Sequence, residues 1–158
     1  MTEEQNSNME LWNEVCETDI KNTKQVNQRG GFTAIQAQSQ IMRATEMWGP
    51  YGGLWGVKDC VYDYLRDAKG EILEATLEAK FFYPTGSRGP ASFEISTDYK
   101  YRAGDDCRKK MLTDLTTKAL SKLGFNADIF LGLWDDNKYV DGKGGDAKAA
   151  TPAEAFDL

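Results

Sequence analysis

Two stretches of alternating apolar and polar residues constrain the fold of this chain more than any other feature. From Glu71 to Tyr83, apolar side chains occupy every second position, with charged or hydroxyl-bearing residues between most of them. The run from Phe93 to Arg102 alternates in the same way and is richer in aromatic and β-branched residues. A period of two is typical of a strand with one buried face. Although the Glu, Ala and Leu content of the first run also suits a helix, the period predicts two strands.

A third run and the intervening turns complete a meander. Residues Leu54 to Leu65 are rich in valine and aromatic residues and lead into the turn signal Asp67-Ala68-Lys69-Gly70. A glycine- and proline-rich segment, Pro84 to Pro90, separates the second and third runs. Short connections of this kind join neighbouring antiparallel strands. The sequence therefore predicts a three-stranded antiparallel β-meander.

Helical patterns flank the predicted sheet. A Ser7-x-x-Glu10 capping box predicts a helix from about Asn8 to Glu17, followed by a polar connector that ends at Gly30-Gly31. Thr33 is a candidate cap for a helix from Ala34 to Trp48, which Gly49-Pro50 ends.

A long helix is predicted after the meander. Asp105 or Asp106 is expected to cap it, and Gly124 follows its last residue, Leu123. The stripe expected to be buried consists of Leu112, Leu115, Thr116, Ala119, Leu120 and Leu123. The overall prediction is an α+β fold, with helices packed on a three-stranded antiparallel β-meander. Residues 1–140 are expected to form one domain with a helical N-terminal arm at 8–31, and residues 141–158 a disordered acidic tail.

Composition excludes the commonest catalytic sites. The chain has no histidine, so Ser-His-Asp and Cys-His arrangements and mixed Cys/His zinc sites are impossible. Its three cysteines are far apart in sequence and form no CxxC pattern, which indicates free thiols in a reducing compartment. No run approaches the roughly 18 apolar residues that a membrane span needs, and the start of the chain is acidic. We therefore expect a cytoplasmic protein without a membrane partner.

Charge is distributed unevenly along the chain. The net charge is −6, yet the segment from Lys100 to Lys122 holds seven cations and three anions. A local basic strip on an acidic protein is compatible with binding to nucleic-acid phosphates. Several aromatic residues could stack on unpaired bases or pack in the core: Tyr51, Trp55, Tyr62, Tyr64, Tyr99, Tyr101 and Trp134.

Two other sequence features are compatible with functional sites as well as with structural roles. The doublets Asp105-Asp106 and Asp135-Asp136 could hold divalent metals in a nuclease. Helix capping for the first pair and a solvated turn for the second are the simpler explanation, and we favour them. The glycines from Gly49 to Gly56 do not fit a phosphate-binding loop at any offset, and a loop that ends a helix accounts for them.

The order of these elements resembles the conserved core of the Rad-fifty-two-like single-strand annealing proteins, especially their small phage members. The resemblance spans about residues 11–140. Its most specific part is the long helix, with Thr113-Asp114 followed by Lys118-Ala119-Leu120 and then Leu123-Gly124. The phage members also have an Arg-Gly-Gly-Phe-Thr-Ala run like residues 29–34 and an ending like residues 123–139.

This resemblance implies that each subunit has the ββ β-α core of the annealing proteins. It also implies that the subunits form an oligomeric ring, which binds single-stranded DNA along a basic groove. It implies no cofactor, no metal and no enzymatic activity. In the family, a pair of basic residues on the long helix makes the main DNA contacts, and this pair corresponds to Thr117 and Lys118. A basic residue one helical turn later corresponds to Ser121, and a lysine that makes a secondary DNA contact corresponds to Lys109. Hydroxyls stand at two of these positions, so neighbouring cations are expected to contribute. The predicted DNA-binding residues are Lys118, Thr117, Ser121, Lys122, Lys109, Lys110, Lys100 and Arg102.

Two alternatives to strand annealing stay open. One is a protein that protects single-stranded DNA, because the acidic end at residues 151–158 loosely resembles the tails of such proteins. The other is the metal-dependent nuclease that would use the aspartates. The tail is also a candidate docking segment for host or phage recombination or replication proteins, with Phe156 as its apolar anchor.

Overall fold

A computed structural model describes residues 2–26, 32–100 and 106–132 of the chain. The backbone contacts divide it into two compact units, one formed by Met1–Gln40 with Ser121–Leu158 and the other by Ile41–Leu120. In chain order, the helices of the described residues are α1 (Glu3–Asn8), α2 (Glu10–Val15), α3 (Ala37–Trp48), α4 (Cys107–Lys122) and α5 (Ala127–Phe130). The strands are β1 (Thr23–Val26), β2 (Phe32–Ile35), β3 (Gly56–Arg66), β4 (Ile72–Pro84) and β5 (Pro90–Lys100). Short 3-10 turns lie at Ile20–Asn22 and Gly86–Arg88.

The unit of residues 41–120 contains the predicted meander. Strands β3, β4 and β5 form an antiparallel sheet in that order, with Tyr64 opposite Ala75 and Ala75 opposite Tyr99. The register shifts between Lys58 and Val61, where Asp59 adopts a left-handed backbone with φ of 55°. This irregularity lies on β3, which is an edge strand. The α+β class and the three-stranded meander are both confirmed.

One face of this sheet is buried under helices. The buried sheet residues follow the predicted alternation: Ala75, Leu77, Ala79, Phe81 and Ile95. Leu73 was expected to join them, but it lies beside a register shift near the hairpin and is exposed. Helix α4 buries Cys107, Met111, Leu115, Thr116, Ala119 and Leu120. The predicted stripe is thus largely confirmed, whereas Leu112 and Leu123 are only half-buried.

An aromatic cluster fills one end of this core. Trp55 has no exposed surface, and its Nε1 donates a 2.7 Å hydrogen bond to the Gly49 carbonyl. Its ring lies 6.0 Å from that of Trp48, 5.2 Å from that of Tyr51 and 6.2 Å from that of Phe81, measured between centroids. The glycine-rich loop after α3 is therefore fixed by a buried indole, as expected for a loop that ends a helix.

The other unit joins the beginning of the chain to residues after α4. Strands β1 and β2 form a two-stranded antiparallel sheet. Asp128 is 3 % exposed, and its carboxylate accepts hydrogen bonds from the Thr18 amide (2.8 Å) and the Thr18 hydroxyl (2.5 Å). Asn126 also donates to the Thr18 hydroxyl (2.8 Å). Side-chain and backbone bonds therefore hold residues 15–18 against residues 126–128.

The N-terminal third differs from the sequence predictions. Two short helices replace the helix expected from Asn8 to Glu17, and the capping box uses Thr2 and Gln5 instead of Ser7 and Glu10. Strand β1 lies in the segment expected to be a polar connector, and β2 covers residues expected to begin α3. The prediction of helix at residues 34–36 was wrong, because the backbone of β2 pairs with β1 instead of continuing the helix. The predicted tail at 141–158 lies outside the described residues.

Candidate nucleic-acid interface

Helix α4 presents a charged row on its exposed side. Lys110, Asp114 and Lys118 are exposed and four residues apart, so they lie above one another on one helix face. The intervening Met111, Leu115 and Ala119 are buried. The row therefore runs along the outer side of a helix whose opposite side is fixed in the core.

Lys118 and Asp114 both bond to the neighbouring edge strand. The Lys118 ammonium donates a 2.9 Å hydrogen bond to the Ser96 carbonyl of β5. The Tyr99 hydroxyl donates a 2.5 Å bond to Asp114, and burial together with this carboxylate raises the pKa of Tyr99 to about 12. An ammonium has three donors, so the Ser96 contact orients Lys118 without using all of them.

The remaining predicted lysines of this unit are exposed. Lys109 is exposed in the first turn of α4. Lys110 lies 3.3 Å from Asp106, and Lys100 lies 4.0 Å from Asp98. Exposed pairs of this kind contribute little energy, so phosphates can displace the carboxylates at small cost.

The two predicted DNA-binding residues with hydroxyl groups, Thr117 and Ser121, bond partly within the protein. Thr117 is half-buried and donates to the Asp114 carbonyl at 3.1 Å. Ser121 and Lys122 belong to the last turn of α4, in the other unit. There the Ser121 hydroxyl accepts a 3.3 Å bond from Gln40, while Lys122 is exposed. Arg102, the eighth predicted residue, lies outside the described residues.

A second cationic feature lies beside the first turn of α4. We call Tyr62, Tyr64, Arg66 and Arg108 the tyrosine–arginine cluster. The two tyrosine rings are parallel within 8°, with centroids 6.4 Å apart. The Arg108 guanidinium lies over both rings, 5.5 Å from one centroid and 5.4 Å from the other. Its Nε also donates to the Tyr64 hydroxyl, and Arg66 lies 5.5 Å from the Tyr64 ring centroid.

Neighbouring groups set the electrostatics of this cluster. Burial raises the pKa of Tyr62, and the nearby Cys60 and Tyr64 raise it further, while Arg108 lowers it. Burial also raises the pKa of Tyr51, although hydrogen bonds with Thr116 and Val57 oppose the shift. A raised pKa keeps Tyr62 neutral near pH 7, and Arg66 and Arg108 give the cluster its positive charge.

The sequence predictions omitted both arginines from the site, although they named the tyrosines as possible stacking residues. One sequence signal does point to part of the cluster. Tyr62, Tyr64 and Arg66 alternate along a strand and therefore share a face. Arg108 lies 44 residues beyond Tyr64 in the chain, so only the tertiary fold brings them together.

A metal-ion site is the main alternative chemistry for these residues. Within residues 2–26, 32–100 and 106–132, no group of three or more His, Cys, Asp or Glu residues is arranged to hold a metal ion. Asp106 pairs with Lys110, whereas Asp105, Asp135 and Asp136 lie outside the described residues. In the part of the chain that the structure describes, no helix is both long enough and apolar enough to cross a membrane.

No protein-family model matches the chain, and no curated protein matches it in sequence.

Proposed function

We propose that the unit of residues 41–120 binds single-stranded DNA along α4, and that the protein anneals complementary strands as an oligomer, without a cofactor. One observation carries the binding proposal. The exposed cations Arg108, Lys109 and Lys110 follow one another on α4, and Arg108 lies on two tyrosine rings. Proteins that bind single strands typically combine cations, which contact the phosphates, with aromatic rings, on which the bases stack.

The annealing part of the proposal rests on the resemblance to Rad-fifty-two-like proteins. That resemblance implies a ring in which subunits hold one strand and present it for pairing. An assay with complementary oligonucleotides separates annealing from simple protection of single strands. Faster duplex formation with the protein than without it is expected. A protective protein would bind the strands and leave this rate unchanged or lower it.

We expect binding to single-stranded DNA to weaken steeply as salt is added. If about three to five cations of each subunit contact phosphates, the slope of log affinity against log salt is roughly 0.7 per contact, or about −2 to −3.5. Lys118→Ala should reduce the magnitude of this slope by about 0.7 and weaken binding several-fold at low salt. Fluorescence anisotropy of a labelled oligonucleotide, measured between low and moderate salt, gives both quantities.

Matched variants locate the contacts on α4. Lys118→Arg keeps the charge and should keep the slope. Lys80→Ala removes an exposed cation from β4, whose pair with Asp59 is 3.8 Å long. Lys80 stands between the buried Ala79 and Phe81 in β4, so its side chain lies on the opposite face of the sheet. If Lys118→Ala and Lys109→Ala behave like Lys80→Ala, the site is not on α4.

Self-association is expected through the open edge of β3. Edge strands expose unpaired backbone groups that template pairing with another chain. On β3, Val61 and Leu65 are 61 % and 58 % exposed. Sedimentation should give a species several times the monomer mass, at least with DNA bound. Val61→Glu should lower that mass, whereas Leu54→Glu, at an exposed leucine outside the strands, should not. A monomeric wild-type protein in both conditions would contradict the proposed ring.

A further inference from the structure

We propose that the tyrosine–arginine cluster is a base-stacking site that holds an unpaired nucleobase of the bound strand. This inference rests on the proposed function and adds to it, because phosphate contacts along α4 require no contact with bases. It assigns a role in binding to Tyr62, Tyr64, Arg66 and Arg108 beyond their packing.

The shape of the cluster favours a flat ligand. The two tyrosine rings are parallel within 8°, and the planar Arg108 guanidinium is almost equidistant from their centroids. Aromatic rings and guanidinium planes are the groups on which unpaired bases stack. A nucleobase that stacks on these groups gains stacking and cation–π energy, and β3, which carries the two rings, does not need to rearrange.

The cluster is accessible at the surface. Arg66 and Arg108 are exposed, and the two tyrosines keep part of their surface open to solvent. The rings are held by β3, whose pairing with β4 places Tyr62 opposite Leu77 and Tyr64 opposite Ala75. Both partners on β4 are fully buried, so the core fixes the position of the rings. A rigid, partly open aromatic surface loses little conformational entropy on binding.

The charge of the cluster favours nucleic acid over other planar ligands. Arg108 uses its Nε for the Tyr64 hydroxyl, and a guanidinium carries five N–H donors, so others are available to a phosphate oxygen. Lys109 and Lys110 follow directly on α4. One nucleotide can therefore place its base on the cluster while its phosphate meets an arginine or a lysine.

Abasic DNA separates the two kinds of contact. A strand of the same length without bases keeps every phosphate, so phosphate binding alone predicts equal affinity for both strands. With the stacking site, wild-type protein should bind the base-bearing strand about tenfold more tightly than the abasic strand. Tyr62→Leu/Tyr64→Leu should abolish this preference, so that the base-bearing and abasic strands bind with equal affinity. Tyr62→Phe/Tyr64→Phe keeps both rings and should retain the preference.

Replacing a lysine that contacts phosphates should affect the base-bearing and abasic strands equally. Lys109→Ala should weaken binding to both strands by a similar factor and leave their ratio unchanged. Equal wild-type affinity for the two strands, or a preference that survives in the double leucine variant, would overturn the stacking site and leave the DNA-binding proposal intact. Absence of binding to either strand would overturn the DNA-binding proposal itself.

A measurement on the unmodified protein does not depend on how the variants fold. A strand that carries 5-iodouracil forms photochemical cross-links to aromatic side chains that stack on it. After digestion with trypsin, the cross-link should be found in the peptide of residues 59–66, which contains both tyrosines. Cross-links confined to other peptides would place the base contact elsewhere.

Discussion

Trp55→Ala is expected to destabilise the unit of residues 41–120 by about 3 to 5 kcal/mol, the usual cost of truncating a buried large aromatic side chain. Trp55 has no exposed surface and contacts the rings of Trp48, Tyr51 and Phe81. Alanine would leave a cavity between these rings and the Gly49 carbonyl without its 2.7 Å donor. Both losses act on the same loop, which connects α3 to the first strand of the sheet.

Trp55→Phe separates these two contributions. Phenylalanine fills most of the cavity but cannot donate to Gly49, so we expect a loss of about 1 to 2 kcal/mol. Urea denaturation gives the free energies, and hydrogen exchange resolved by peptide tells which residues open. Exchange should accelerate across β3, β4 and β5. A loss below about 1 kcal/mol for Trp55→Ala would mean that the indole does not anchor the core.

Asp128→Ala is expected to destabilise the unit of residues 1–40 and 121–158 by about 3 kcal/mol or more. The Asp128 carboxylate accepts from the amide and hydroxyl of Thr18 and from the Ile129 amide at 2.8 Å. Asp128 and Thr18 are both buried, so water replaces these bonds poorly once the carboxylate is removed. Donors that lose a charged acceptor in a buried site carry the full cost of desolvation.

Thr18→Val is the matched variant for this pair. It removes the hydroxyl, which donates to Asp128 and accepts from Asn126, and keeps the amide bond, so it should cost about 2 to 3 kcal/mol. The double variant should lose less than the sum of the single losses, because the two side chains share one bond. Faster hydrogen exchange near residues 15–18 and 126–128 is expected. Strict additivity would show that the Thr18 hydroxyl and Asp128 do not interact in solution.

The sheet could be predicted from the sequence because its signal is local. In β4, the composition suits a helix while the period of two specifies a strand, and the strand forms. Helix propensities differ by only a few tenths of a kcal/mol per residue. A helix would place Ala75 and Ala79 on the side opposite Leu77 and Phe81, whereas the strand buries all four on one face. Burial therefore outweighs propensity here.

The small hairpin was missed because its signal is not local. Strands β1 and β2 have four residues each, which is too short for a period to be read. Thr33 resembles a helix cap, and Ile35 fits the spacing of the following helix. The pairing of Thr23 with Ile35 decides between these structures, and the pattern of neither strand alone shows it.

The candidate interface divides in the same way. By itself, the sequence determined the α+β class, the three-stranded meander and most of the buried stripe of helix α4. Each of these depends on a repeat within a few residues. Only the tertiary structure placed Arg108 on Tyr62 and Tyr64, bonded Lys118 to the edge of β5, and buried Asp128 against Thr18. The physical reason is that periodicity fixes which side of an element is buried, whereas the partner of each side chain depends on packing between segments as much as 110 residues apart.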